Sequence, residues 1–173
     1  MNKAVFLDRD GVLNVEIGDY VWKDEDFVIP HGVHEALQKL KAAGFYLIVV
    51  TNQGGIEKGL YTSVDVQRLH GKLQKACGGL LDALYYAPHH RTKTFSLLNK
   101  PNSLMLEKGM ARFNIDPAQS WIVGDAERDM EAGYKMGVKG ILVPSHKEKE
   151  SAFTQHIARD LLHATEFILS GNQ

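Results

Sequence analysis

The apolar run Ala4-Val5-Phe6-Leu7 ends directly in Asp8-Arg9-Asp10-Gly11, so two carboxylates stand at the end of an element that belongs in a core. Carboxylates crowded at such a point repel each other unless a cation or a shared proton offsets the charge. Chemistry explains them better than packing does. We read Asp8 as a nucleophile on a phosphoryl group, forming an aspartyl-phosphate. Asp10 then protonates the leaving oxygen and later activates water. In an extended chain the two side chains point the same way, with Arg9 opposite, and Gly11 lets the chain turn just after them. A carboxylate approaches a phosphate dianion only with charge neutralisation, which calls for Mg2+ on oxygen ligands, here Asp8, Asp10 and Asp125.

Asp125 opens the run Gly124-Asp125-Ala126-Glu127-Arg128-Asp129, where the two aspartates fall four apart at a helix start. This spacing predicts that Asp125 caps the helix and that Asp129, one turn on, supports the metal site. Thr51-Asn52-Gln53-Gly54-Gly55 offers a hydroxyl, an amide and glycine-rich backbone to phosphate oxygens, with Thr51 and the Asn52 backbone as the expected contacts. Lys100, directly before Pro101, supplies the remaining positive charge for the phosphate and the transition state. Taken singly, Lys100 reads as a surface lysine and Asp129 as a favourable first-turn charge. Their order along the chain lifts both.

The elements that must position these residues are legible as short apolar runs at Ala4–Leu7, Tyr46–Thr51, Ala83–Ala87, Trp121–Gly124 and Gly140–Val143. Most lack alternation, as strands buried on both faces do. Helical spacing fills the gaps: Val33, Leu37 and Leu40 before Gly44; Val66, Leu69, Leu73 and Ala76 before Gly78. A third helix starts near Asn102-Ser103, with Met105, Leu106, Met110 and Phe113 inward. A fourth follows Asp125, with Met130 and Tyr134 inward and Gly137 as its stop. Alternating strands and helices predict an α/β, doubly wound, Rossmann-like parallel sheet with helices on both faces. Its site lies at the carboxyl ends of the strands, where Asp8, Thr51 and Asp125 fall.

A chain of 173 residues suits one domain spanning 1–173. The net charge of -1, with 20 basic and 21 acidic residues, gives no electrostatic case for nucleic acid or membrane and leaves a small metabolite as the expected partner. Cys77 is the only cysteine, which excludes an intrachain disulfide and a thiolate metal cluster; a cytoplasmic enzyme is expected. No run approaches the ~20 apolar residues of a membrane helix. The segments 14–30 and 89–99 read as loops that shape the site. In the first, Glu16, Asp19, Tyr20 and Trp22 form a surface flap whose aromatics can line the entrance.

In this order, Asp-x-Asp-Gly, a Thr after a strand, Lys-Pro and Gly-Asp-x-x-x-Asp resemble the haloacid dehalogenase-like (HAD) superfamily across nearly the whole chain. The resemblance implies Mg2+-dependent phosphate ester hydrolysis. Intervals of about 40 and about 50 residues between motifs leave little room for an inserted domain, so no large cap is expected. Asp8-Arg9-Asp10-Gly11-Val12-Leu13-Asn14, Tyr20-Val21, Thr51 to Ile56 and Tyr85 to His90 further resemble the histidinol-phosphate and D-glycero-D-manno-heptose 1,7-bisphosphate phosphatases, a resemblance that implies a role in carbohydrate metabolism. The heptose substrate ranks first.

Members of that group carry Cys-x-His, a later Cys-x-Cys that bind zinc, and Arg-Lys-Pro. The matching positions here are Ala87, His89, Ser96 and Leu98, then Asn99-Lys100-Pro101. One imidazole without thiolates does not make a tetrahedral zinc site, so a loop ordered by its own packing is expected. Asn99 also lacks the guanidinium fork suited to a second phosphate. Lys58, or Arg91 and Lys93, are the alternative cations. Two other classes stand against a phosphatase: a signalling receiver, whose acidic pair and phosphoacceptor lie on different strands, and a non-catalytic phosphate-binding module.

Overall fold

The computed structural model describes residues 1–145 and 148–171. Its strands are β1 (Lys3–Leu7), β2 (Phe45–Asn52), β3 (Ala83–Ala87), β4 (Trp121–Gly124) and β5 (Lys139–Leu142), each within a residue or so of its apolar run. They pair in parallel in the order β3-β2-β1-β4-β5, with Leu7 opposite Val49 on one side and Val123 on the other. The helices are α1 (Val33–Ala42), α2 (Ser63–Ala76), α3 (Leu104–Phe113), α4 (Glu127–Lys135) and α5 (Leu161–Leu169).

Side chains of β1 alternate between two cores. Val5 and Leu7 pack with α1, α2 and α5 through Leu37, Leu40, Leu69, Leu73 and Leu161. Ala4 and Phe6 pack with α3 and α4 through Met105, Leu106 and Met130. Both faces of the strand are therefore apolar, which is why its sequence shows no alternation. The chain runs outward from β1 to β2 and β3, then crosses back to β4 on the other side of β1. A crevice opens at the carboxyl ends where strand order reverses.

Local chemistry fixes the helix ends. Thr62 and Asp65 form a capping box at α2, with the Thr62 N–H donating to Asp65 Oδ2 over 2.9 Å. At α4 the expectation for Asp125 is corrected: Ala126 is the N-cap, and its N–H donates to Asp129 Oδ2 over 3.1 Å. Tyr134 is also corrected, being 66% exposed and packed on Phe153 outside the main core, with ring centroids 5.4 Å apart. Cys77 is buried on the core face of α2's end. No helix among the described residues is long and apolar enough to cross a membrane.

Candidate active site

Asp8 follows the last residue of β1, and its N–H donates to Val123 O of β4 over 2.9 Å. The chain then turns rather than staying extended. Arg9 is not opposite the aspartates: it is fully buried and folds back, donating through Nε and Nη2 to Asp10 and through Nη2 to Val21 O over 2.8 Å. The turn needs Gly11, whose φ of 85° is left-handed and whose Cβ, if present, would lie 2.5 Å from Asp125 Oδ2.

Three strand ends and two loops converge on this turn. Lys100 is buried, with Nζ 2.7 Å from Asp129 Oδ1, 3.0 Å from Asp8 Oδ1 and 2.7 Å from Val50 O. Burial alone would lower its pKa, but Asp129 and Asp8 outweigh that and raise it, so the ammonium stays charged. Its backbone is held by Asn52, whose side chain donates to Lys100 O and accepts from Lys100 N, each over 3.0 Å. Thr51 is buried at the end of β2, its hydroxyl accepting from Gln53 Nε2 over 3.0 Å.

Carboxylates of Asp8, Asp125 and Asp129 bring ligand oxygens within 4.8 Å of one another. Burial, then Asp8, then Asp129 push the Asp125 carboxyl up to about 8. Burial raises Asp129 as well, opposed by Lys100. Buried Asp125 Oδ1 has no hydrogen-bond partner. Crowded oxygen donors with one orphaned oxygen fit a hard divalent cation such as Mg2+. Asp10, also expected as a ligand, lies outside this trio. Its carboxylate is engaged by Arg9, by Asn14 Nδ2 at 3.0 Å and by Gln53 Nε2 at 2.9 Å.

A cleft of about 330 Å³ over the turn is lined by Asp10, Asn52, Asp125 and Arg128, with Glu16, Asp19 and Tyr20 of the flap. A second of about 220 Å³ adjoins it, lined by Tyr20, Asn52, His89, Arg91, Asn99 and Arg128. Asn99 is buried with Oδ1 unpartnered, whereas Lys58 lies over the Tyr20 ring, 5.2 Å from its centroid, and lines neither cleft. In the 87–99 loop, Ala87 is core, Leu98 packs against it, and Glu57 accepts from His90 N over 2.6 Å and from the Thr94 hydroxyl. Arg9, Asn14, Gln53, Tyr61 and Arg128 are the site residues that the motifs did not single out. Arg9, Asn14, Gln53 and Arg128 sit inside the quoted motifs; their buried or cleft-lining placement is what marks them.

The HAD-hydrolase-like family model matches residues 97–164. The D-glycero-beta-D-manno-heptose-1,7-bisphosphate 7-phosphatase of Haemophilus ducreyi is 40% identical over 146 residues, 79% of this chain and 80% of that protein. The D-glycero-D-manno-heptose-1,7-bisphosphate 7-phosphatase of Chlorobaculum tepidum is 34% identical over 188 residues, 96% and 94% of the two chains. The crystal structure of the D,D-heptose 1,7-bisphosphate phosphatase of B. bronchiseptica, complexed with magnesium and phosphate, superposes with a TM-score of 0.87 at 26% identity, covering 98% of this chain and 99% of that one. An aspartate-rich crevice on a parallel sheet and relatives matched along most of the sequence agree: this chain belongs to the heptose-1,7-bisphosphate 7-phosphatase family of HAD-like phosphatases.

Proposed function

We propose that the chain removes the 7-phosphate of D-glycero-D-manno-heptose 1,7-bisphosphate with Mg2+ as cofactor, Asp8 acting as nucleophile and Asp10 as acid and base. The observation that carries this reading is the convergence of Asp8, Lys100, Asp125 and Asp129 in one buried cluster opening onto a cleft. An Asp8 oxygen bonds to phosphorus as the ester P–O bond breaks, and the Asp10 proton passes to the leaving oxygen. Water then attacks the aspartyl-phosphate, Asp10 takes its proton, and the bond to Asp8 breaks to release phosphate. Lys100 holds the attacking carboxylate in place and offsets its charge, while the Thr51 hydroxyl and the Asn52 backbone N–H donate to the phosphoryl oxygens. Asp8 and Asp125, with Asp129 in support, would hold Mg2+, which would supply charge neutralisation for the approach of carboxylate to phosphate.

The distal phosphate belongs in the second cleft, which Arg91, Asn99 and Arg128 line. Relatives are named for both the beta and the alpha anomer, so the deciding assay uses both. Phosphate release is followed from each heptose 1,7-bisphosphate, histidinol phosphate and common sugar and nucleotide phosphates. We expect one heptose bisphosphate to dominate, with turnover lost on chelating Mg2+ and in Asp8→Asn. Preference for histidinol phosphate replaces the substrate; turnover surviving in Asp8→Asn refutes the nucleophile.

A further inference from the structure

We propose that Tyr61 and Gln53 form a positioning relay for Asp10: the Tyr61 hydroxyl orients the Gln53 amide, and that amide orients the proton-transferring carboxyl and ties it to Thr51. The inference rests on the phosphatase reading above. Gln53 is 1% exposed; its Nε2 donates to Asp10 Oδ2 over 2.9 Å and to Thr51 Oγ1 over 3.0 Å, and its Oε1 accepts from the Tyr61 hydroxyl over 2.7 Å. A flipped amide would set its carbonyl oxygen against the Asp10 carboxylate and leave the phenol facing an N–H. The Tyr61 donor thus leaves one orientation. Of the donors to Asp10, Arg9 and Asn14 belong to its own turn; Gln53 reaches it from the loop after β2.

The phenol is itself fixed. Burial pushes its pKa above the ordinary tyrosine value, so it remains an O–H donor. A Cβ at Gly55 would lie 2.2 Å from the Tyr61 ring, so only glycine allows the loop this close. Trp22 of the flap stacks on the ring with centroids 6.3 Å apart, and Tyr20 meets it edge-on at 6.0 Å. The next residue, Thr62, opens the capping box of α2. Three separate segments therefore set the position of one hydroxyl, two bonds upstream of the carboxyl that hands its proton to the leaving oxygen.

The relay predicts a leaving-group signature. An alkyl phosphate needs the Asp10 proton as its P–O bond breaks; p-nitrophenyl phosphate releases a stable phenolate and hardly needs it. The test compares kcat/KM on the best sugar phosphate and on p-nitrophenyl phosphate for wild type, Tyr61→Phe, Gln53→Met and the double variant. We expect the alkyl value to fall about tenfold in Tyr61→Phe and about thirtyfold in Gln53→Met, with the loss on p-nitrophenyl phosphate at least about threefold smaller in each. The double variant should be no worse than Gln53→Met. Parallel loss on both substrates, no loss on either, or additive losses in the double variant overturn the relay. Tyr61→Phe keeps the packed ring, so it tests the hydroxyl without disturbing the core. Wild-type turnover of p-nitrophenyl phosphate that vanishes in Asp8→Asn tests the phosphatase reading separately: its absence overturns that reading too, whereas parallel losses in the variants overturn the relay alone.

Discussion

Three aspartates and one lysine in a buried cluster leave an excess of negative charge, and Asp125 carries much of the cost, its carboxyl raised from 3.8 to about 8 by burial, Asp8 and Asp129. In the unfolded chain this carboxyl is ionised above about pH 4. The folded metal-free protein keeps the proton to higher pH, so this group's contribution to stability falls as pH rises from about 4 to about 8. A divalent cation bound by this carboxylate would replace the proton. We expect the rise in Tm produced by Mg2+ to be larger at pH 8 than at pH 6; equal rises at both would contradict the assignment. Asp8 and Asp125 were legible in the sequence because a charge at the end of an apolar run has no packing reason. Gln53 and Tyr61 were not, since a buried glutamine and tyrosine read as ordinary polar and aromatic residues until their partners at Asp10 and Thr51 are known.

Among elements, the turn between β1 and the flap depends most on one residue. Gly11→Ala places a methyl group against Asp125 and demands a left-handed backbone, so we expect a loss of about 1–2 kcal/mol in urea unfolding. The larger effect should be on catalysis, because the clash falls on a carboxylate of the cluster: kcat is expected to drop by more than about tenfold. Unchanged kcat would show that the turn yields elsewhere. Strand limits were readable because parallel strands buried on both faces make uninterrupted apolar runs. The end of α4 was not: Tyr134 follows Met130 by one helical turn, yet it packs on Phe153 from the segment after β5, a contact no periodicity encodes. The capping of α4 failed similarly. The helix starts one residue later than expected, with Ala126 as N-cap and Asp129 at the third helical position taking the Ala126 N–H.

Across the whole molecule, the second ionisable strain lies on α2, away from the acidic cluster. His70 is 8% exposed, and burial, with Arg9 nearby, depresses its pKa from 6.5 to about 4. It is held neutral in the fold and takes a proton more readily when unfolded. Stability from this source is complete above about pH 6.5 and is lost as pH falls toward 4, by about 3 kcal/mol in all. His70→Gln should flatten the fall of unfolding free energy over that range; an unaltered slope would place the acid sensitivity elsewhere. The overall architecture was legible because its five apolar runs and intervening helices admit few arrangements, whereas the joining of flap, β2 loop and α2 around Tyr61 depends on contacts between distant segments.

β1 is the innermost strand, with β2 on one side and β4 on the other, and residues Val5–Leu7 are paired on both. The amides of this strand exchange with solvent only when the sheet itself opens, while edge strands β3 and β5 can fray without disturbing it. The strand that ends at Asp8 is therefore expected to belong to the last part of the molecule to come apart. Partial opening at the edges should leave Asp8 anchored, its attachment to the core being lost at the same step as the fold.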